Sequence, residues 1–147
     1  MPKYAEMVKL FLAHGASQRG LNRIVKGCSL VSAANGKLRV EMKVGEDITN
    51  PMGTLHGGAS AALVDTLTTA ALFGSRGSPG VSVDIHMTYL SAAKEGETIF
   101  IDAEIVKLGR SLAFLKGEIR RKRDNAIVAT GLQTMALTDV KINQPEG

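Results

Sequence analysis

Apolar positions along this chain change period twice, and the changes mark out its elements. Near the start, Tyr4, Met7, Val8, Phe11 and Leu12 recur at helical spacing and predict an amphipathic helix over residues 3–15. Two apolar-rich runs follow, Gly27 to Ala33 and Lys37 to Val44, joined through Ala34-Asn35-Gly36. Asn-Gly tolerates positive φ at both turn positions, so the pair reads as a hairpin. After a loop through Pro51 and Gly53, a second helix runs from about Gly57 to Ser75 and stops at the breaker cluster Gly77-Ser78-Pro79-Gly80. The period then becomes two. Val81, Val83, Ile85, Met87 and Tyr89 alternate with Ser82, Asp84, His86 and Thr88, and Ile99, Ile101, Ala103 and Ile105 alternate next. Leu112 to Arg121 and Ala126 to Leu137 read as two more strands, with turns at Leu108-Gly109-Arg110-Ser111 and Lys122-Arg123-Asp124-Asn125. Residues 139–147 read as a loose tail.

Helix, two strands, long helix, four strands is an α+β order: one long helix covered by an antiparallel β-sheet, with hairpin-linked strands as neighbours. At 147 residues, without repeat or linker, the chain is expected to form one domain.

Composition narrows the classes. The net charge of +4 is a mild basic bias, and the Arg120–Arg123 run is expected to be a solvated hairpin tip. The six aromatic residues include no Trp, which argues against nucleic-acid binding by base stacking. Cys28 is the only cysteine, so neither an intrachain disulfide nor a cysteine metal site can form. His14, His56 and His86 are scattered, and no metal is expected. Leu10-Phe11-Leu12-Ala13 is too short for a signal-peptide core, and no membrane span is expected because Asp65 splits the only long apolar run. The expected compartment is the cytosol, with the mitochondrion as the alternative.

Asp65 is the only formally charged residue between Asp47 and Arg76. A carboxylate in such a helix is costly unless something pairs with it or uses it. Eight residues upstream, Gly57 and Gly58 open the helix, where backbone N–H groups have no internal acceptor and sit at the positive end of the dipole. That suits a carbonyl oxygen gaining negative charge in acyl transfer, and Asn50 and His56 could add side-chain donors. The spacing sets a problem, since eight helical residues span ~12 Å. Gly57 and Asp65 of one chain cannot easily serve one carbonyl, whereas two antiparallel copies of the helix can. A catalytic Asp65 therefore implies a homodimer with shared sites, and the small Ala61, Ala62 and Thr69 permit close helix approach. Neither a G-x-S-x-G elbow nor a phosphate-binding loop is present.

Thr49-Asn50, Gly53-Thr54-Leu55-His56-Gly57-Gly58, Leu63-Val64-Asp65, Pro79-Gly80-Val81-Ser82-Val83-Asp84, Thr88-Tyr89 and Leu112-Ala113-Phe114 together give a specific pattern. With these residues the chain resembles the hotdog-fold thioesterases of the phenylacetate-degradation type, from Leu30 to the final strand. The resemblance implies a hotdog fold, a homotetramer made of two dimers, and hydrolysis of medium- to long-chain acyl-CoA. It implies no cofactor, CoA being part of the substrate. By the same resemblance Asp65 activates the attacking water, Ser82 helps orient it, and Gly57 and Asn50 polarise the carbonyl. His56 and Gly80 fall beside the substrate. Tyr89, Leu90, Ser91, Ala92, Ala93 and Lys94, with Lys107, Leu108, Gly109, Arg110 and Ser111, line the CoA site. The chain departs from the pattern at Leu132-Gln133-Thr134-Met135-Ala136-Leu137, which lacks the histidine and basic residues of its relatives and so a final CoA contact.

The chemistry fits those roles. Aspartate is a weak base in water and desolvation strengthens one; direct attack through an anhydride is the other route. Lys94, Lys107 and Arg110 lie on turns where they could meet CoA phosphates. The competing readings are a non-catalytic acyl-CoA-binding or sensing protein on the same scaffold and a dehydratase using His56.

Overall fold

A computed structural model of the chain describes residues 2–17 and 19–139. Its first helix, α1 (Pro2–Ser17), buries Tyr4, Val8 and Phe11 and leaves Met7 and Leu12 half-buried, as the helical spacing requires. A 3-10 turn over Leu21–Gly27 follows, with Val25 buried beneath α1. Curling Val25 into the core takes Gly27 out of the expected strand, so β1 runs over Ser29–Ala34. It turns through Asn35 (φ 53°) and Gly36 (φ 79°) into β2 (Lys37–Lys43), the two positive φ values that the Asn-Gly pair predicts.

The long helix α2 spans Gly57–Arg76. The His56 side chain caps its start and Gly77, in the left-handed region at φ 71°, ends it. Four strands follow: β3 (Gly80–Tyr89), β4 (Thr98–Leu108), β5 (Leu112–Arg121) and β6 (Ile127–Leu137). The sheet order is β1-β2-β4-β5-β6-β3, antiparallel throughout. β3 does not pair with its successor; the link over residues 90–97 carries the chain from the β3 edge to the far side of β6 and β5. The fold is the expected α+β sheet with a long helix against it. Among the described residues no helix is long and apolar enough to cross a membrane. The expected tail lies, past Asp139, outside the described residues.

The core lies between α2 and the sheet. Leu63, Leu67, Ile99, Ile101 and Ile119 are fully buried there, and the Phe11 and Phe73 rings, 5.4 Å apart, fasten α1 to α2. Gly117 and Gly131 face each other across β5 and β6 directly beneath Val64. A methyl group on either would come within 2.8 Å of Val64 Cγ1, so these glycines let α2 settle onto the sheet one residue from Asp65.

β3 is one of the two edges of the sheet, β1 being the other. The alternation predicts one apolar and one polar face, but a bulge between Ser82 and Asp84 breaks the phase. Val81, Val83 and Ile85 are 62%, 58% and 38% exposed on a strand paired on one side only.

Candidate active site

The candidate side chains gather in two groups, one at each end of the first two turns of α2. The first is built on Asp65. Its neighbours Leu63, Val64, Thr66 and Leu67 are buried in the core, while Ala61, Ala62, Asp65 and Thr69 form a half-buried stripe. The bulge in β3 aims Ser82 to the helix side of the sheet, opposite buried Met135, and sends Asp84 to the other face, opposite Thr134. Ser82 Oγ donates to Asp65 Oδ1 at 3.0 Å.

Gln133 completes this group. On β6 it faces α2 and is 2% exposed. Its Nε2 donates to Asp65 Oδ1 at 2.5 Å and to Ser82 Oγ at 2.9 Å, and its Oε1 accepts from the Thr68 hydroxyl. Within Leu132–Leu137, where the chain departs from the family pattern, the one polar inward residue holds the carboxylate. A signal was available: Gln133 falls on the inward, apolar phase of β6, between Gly131 and Met135.

Asp65 and Ser82 open into a cleft of about 340 Å³. Gly80, Thr66 and Thr69 line it, as do Phe11, His14 and Gly15 of α1 and Asn22 of the 3-10 turn. The α1 wall was not foreseen, because its helical spacing reads simply as core.

The second group surrounds Gly57, the first residue of α2, where a backbone N–H has no intrahelical acceptor. His56 Nδ1 accepts the Gly58 N–H at 2.8 Å, which leaves the proton of a neutral ring on Nε2. The Tyr89 hydroxyl donates to the Gly57 carbonyl at 2.8 Å. Asn50 organises its own loop: Oδ1 accepts from the Met52 and Thr54 N–H groups, and Nδ2 donates to Thr54 Oγ1 at 2.8 Å. An amide nitrogen carries two protons, so that bond leaves one for another acceptor.

Tyr89–Lys94 belongs to this second group. The Leu55 N–H donates to the Ala93 carbonyl, Thr54 bridges Lys94, and the Leu90 and Ser91 amides donate to Val128. The Ala93 side chain is fully buried, while Ser91, Ala92 and Lys94 are exposed. Arg121 Nη1 donates to the Ala92 carbonyl. Lys107–Ser111 forms the β4–β5 turn, closed by Gly109 N–H to Leu112 O, and its Ser111 carbonyl accepts from Leu137, the partner of Gly80. That turn therefore lies at the Asp65 end.

The basic run is occupied. Arg120 pairs with Glu118, Arg121 with Asp124, Lys122 with Glu41 and Arg123 with Glu97. Arg123 holds the Glu97 carboxyl below the usual carboxylate range, and Arg121 does the same to Asp124. Lys94, Lys107 and Arg110 are exposed and have no ion pair among the described residues.

So the structure brings Asp65, Ser82 and Gly80 together with the Lys107–Ser111 turn, and brings Gly57, Asn50 and His56 together with Tyr89–Lys94. It does not bring the two sets together within one chain. Eight residues of helix separate Gly57 from Asp65 by ~12 Å, and seven residues of strand separate Tyr89 from Ser82 by ~23 Å.

Comparison with known proteins places this geometry. The Thioesterase superfamily model matches residues 52–128, more than half of the chain. Acyl-coenzyme A thioesterase 13 of Mus musculus is 49% identical over 119 residues, covering 80% of this chain and 85% of its own. The crystal structure of zebra fish thioesterase superfamily member 2 superposes with a TM-score of 0.85 at 43% identity, covering 90% of this chain and 97% of that one. The E. coli PaaI protein of the phenylacetic acid degradation operon, at 21% identity and a TM-score of 0.74 over 93% of this chain and all of its own, shares the fold. The chain belongs to the thioesterase superfamily, with the hotdog fold of these relatives.

Proposed function

We propose that the protein is an acyl-CoA thioesterase, hydrolysing medium- to long-chain fatty acyl-CoA to free acid and CoA at sites shared between two subunits. The observation that carries this reading is the separation of the two groups: a carboxylate with its hydroxyl at one end, a helix-start amide at the other. Neither alone holds both a base and an oxyanion donor, which must lie within ~3 Å of the reacting atoms. Two chains joined through their open β3 edges, in opposed directions, set Asp65 of one beside the partner subunit's Gly57. The exposed Val81, Val83 and Ile85 and the half-buried stripe Ala61, Ala62 and Thr69 support that contact. The same rotation brings Lys107–Ser111 of one chain near Tyr89–Lys94 of the other, where Lys94, Lys107 and Arg110 meet the CoA phosphates. Phe114 and Leu132, exposed on the outer sheet face, give a second contact through which two dimers form a tetramer.

Asp65 Oδ2 takes a proton from water as its oxygen bonds to the thioester carbon. The partner subunit's Gly57 N–H and Asn50 hold the developing oxyanion, and His56 lies beside them. Collapse breaks the C–S bond and the thiolate leaves as CoA, taking up the proton. The acyl group occupies the cleft beneath α1.

The test is complementation. Asp65→Asn and Gly57→Pro subunits are each expected to release thiol from decanoyl-CoA at no more than about a hundredth of the wild-type rate. Co-expressed equally, half the dimers are mixed and one of their two sites is intact, so about a quarter of wild-type activity returns. Activity above that level in Asp65→Asn alone, or no rise above it in the mixture when mixed dimers are present, sinks the reading. Acyl-CoA binding by the wild type without thiol release would favour the sensing protein instead.

A further inference from the structure

We infer that Gln133 is a positioning residue for hydrolysis, fixing both the carboxylate of Asp65 and the direction in which Ser82 donates. The inference rests on the thioesterase reading above. Gln133 is buried on β6, the strand that pairs with β3 under α2, and each polar atom of its amide is engaged. The amide has one possible orientation. Reversed, it would set its oxygen against Asp65 Oδ1 at 2.5 Å, acceptor on acceptor. Thr68 completes the arrangement from α2: with Nε2 committed to Asp65 and Ser82, Gln133 Oε1 is the acceptor turned to the Thr68 hydroxyl, which also reaches the Val64 and Asp65 carbonyls.

The direction of every proton in the chain follows. Gln133 Nε2 presents one N–H to Asp65 Oδ1 and the other to a lone pair of Ser82 Oγ. With an N–H aimed at its oxygen, Ser82 turns its own proton to Asp65 Oδ1. Oδ1 is thus filled by two donors, and Oδ2 is left as the acceptor that faces the cleft. A neutral amide does this without adding a charge. The groups facing Gln133 are Asp65 and Thr68 on α2, Ser82 on β3 and apolar Leu115 on β5, with His14 of α1 on the same cleft as Asp65.

Two variants read this out, with Asp65→Asn as reference. Gln133→Met keeps length and apolar packing but removes both donors. It is expected to lower kcat for decanoyl-CoA by about tenfold to a hundredfold, as loss of a hydrogen bond to a charged group implies, with KM changed by less than about twofold. Gln133→Glu keeps the shape and can donate only while protonated. Its kcat/KM is expected to be highest near pH 5 and to fall by more than about tenfold toward pH 8, as the introduced carboxyl ionises beside Asp65. The wild type does not show that fall. A Gln133→Met variant with wild-type kcat, or a Gln133→Glu profile parallel to wild type, overturns the inference; if Gln133→Met does not fold, the Gln133→Glu profile alone decides. Inactive Asp65→Asn beside fully active Gln133→Met would remove the positioning role and leave the thioesterase reading standing, whereas active Asp65→Asn would remove both.

Discussion

The Tyr89 ring lies over Gly57, with its Cζ 3.3 Å from where a side chain on that glycine would begin, and its hydroxyl donates to the Gly57 carbonyl at 2.8 Å. The contact holds the first residue of α2 by its carbonyl and leaves its N–H pointing away from the helix. It also ties the end of β3 to the helix start, so the strand edge and the Gly57 N–H are held together. Because β3 carries Ser82 at its other end, pairing of two such strands would register each donor against the opposite carboxylate.

Gly57 allows the donor to be deleted without breaking the helix. Proline is favoured at a first helical position, since it removes an N–H that has no intrahelical partner. The preceding His56 has φ −66° and ψ 135°, the extended conformation that proline demands of its predecessor. Gly57→Pro should therefore fold and lose about 10²- to 10³-fold in kcat, the cost of one oxyanion donor. Gly57→Ala crowds Tyr89 equally but keeps the N–H, and should lose no more than about tenfold. Steady-state thiol release by both variants, with circular dichroism as the check on folding, makes the comparison. Equal losses would show that crowding, not the N–H, matters.

The glycines under Val64 carry a stability prediction. A methyl group on Gly117 would sit 2.7 Å from Val64 Cγ1 and 3.1 Å from Cγ2, and Val64 is fully buried with a branched, stiff side chain. Gly117→Ala should cost about 1–3 kcal/mol as overpacking, lowering Tm by roughly 3–10 °C. Adding Val64→Ala should return part of the loss, because the two sites touch. Thermal melts of the two single variants and the double variant measure the coupling. Strictly additive losses would place the strain elsewhere.

How far the chain could be read without a structure depends on what kind of fact each residue encodes. Local facts were legible. The Asn35-Gly36 turn, the start of α2 at Gly57 and its end by Gly77 each follow from backbone preference within a few residues. The Asp65 anomaly was legible too, because a charge in an apolar helix stands out in one dimension. Facts of assembly were not. Alternation in β3 says that two faces differ, but not that the strand is an edge or that a bulge after Ser82 splits its phase. Gln133 stands out as a polar residue on the apolar phase of β6, but that its partners are Asp65 and Ser82 shows only once β6 lies beside β3 under α2. The helical spacing of Phe11 predicts burial, yet not that its neighbour His14 would wall the cleft.

Two weak acids, buried Tyr4 and half-buried Cys28, predict the alkaline limit of the fold. Burial pushes the Cys28 thiol from 9.0 up to about 12, and burial pushes the Tyr4 hydroxyl from 10.0 up to about 12. Tyr4 also donates to the Ala71 carbonyl at 3.1 Å, fastening α1 to α2. For both groups the folded value lies above the unfolded one. Their contribution is therefore complete below pH 9 and is lost as pH climbs from 9 toward 12, because the unfolded chain ionises first. Chemical denaturation at stepped pH should show stability level to about 9 and falling above it. Tyr4→Phe should flatten the fall above pH 10 while lowering the plateau by about 1 kcal/mol for the lost hydrogen bond. The same burial predicts that Cys28 reacts slowly with an aromatic disulfide reagent at pH 8 in the folded protein and within seconds in denaturant. Rapid native-state labelling would mean that the β1 edge opens readily.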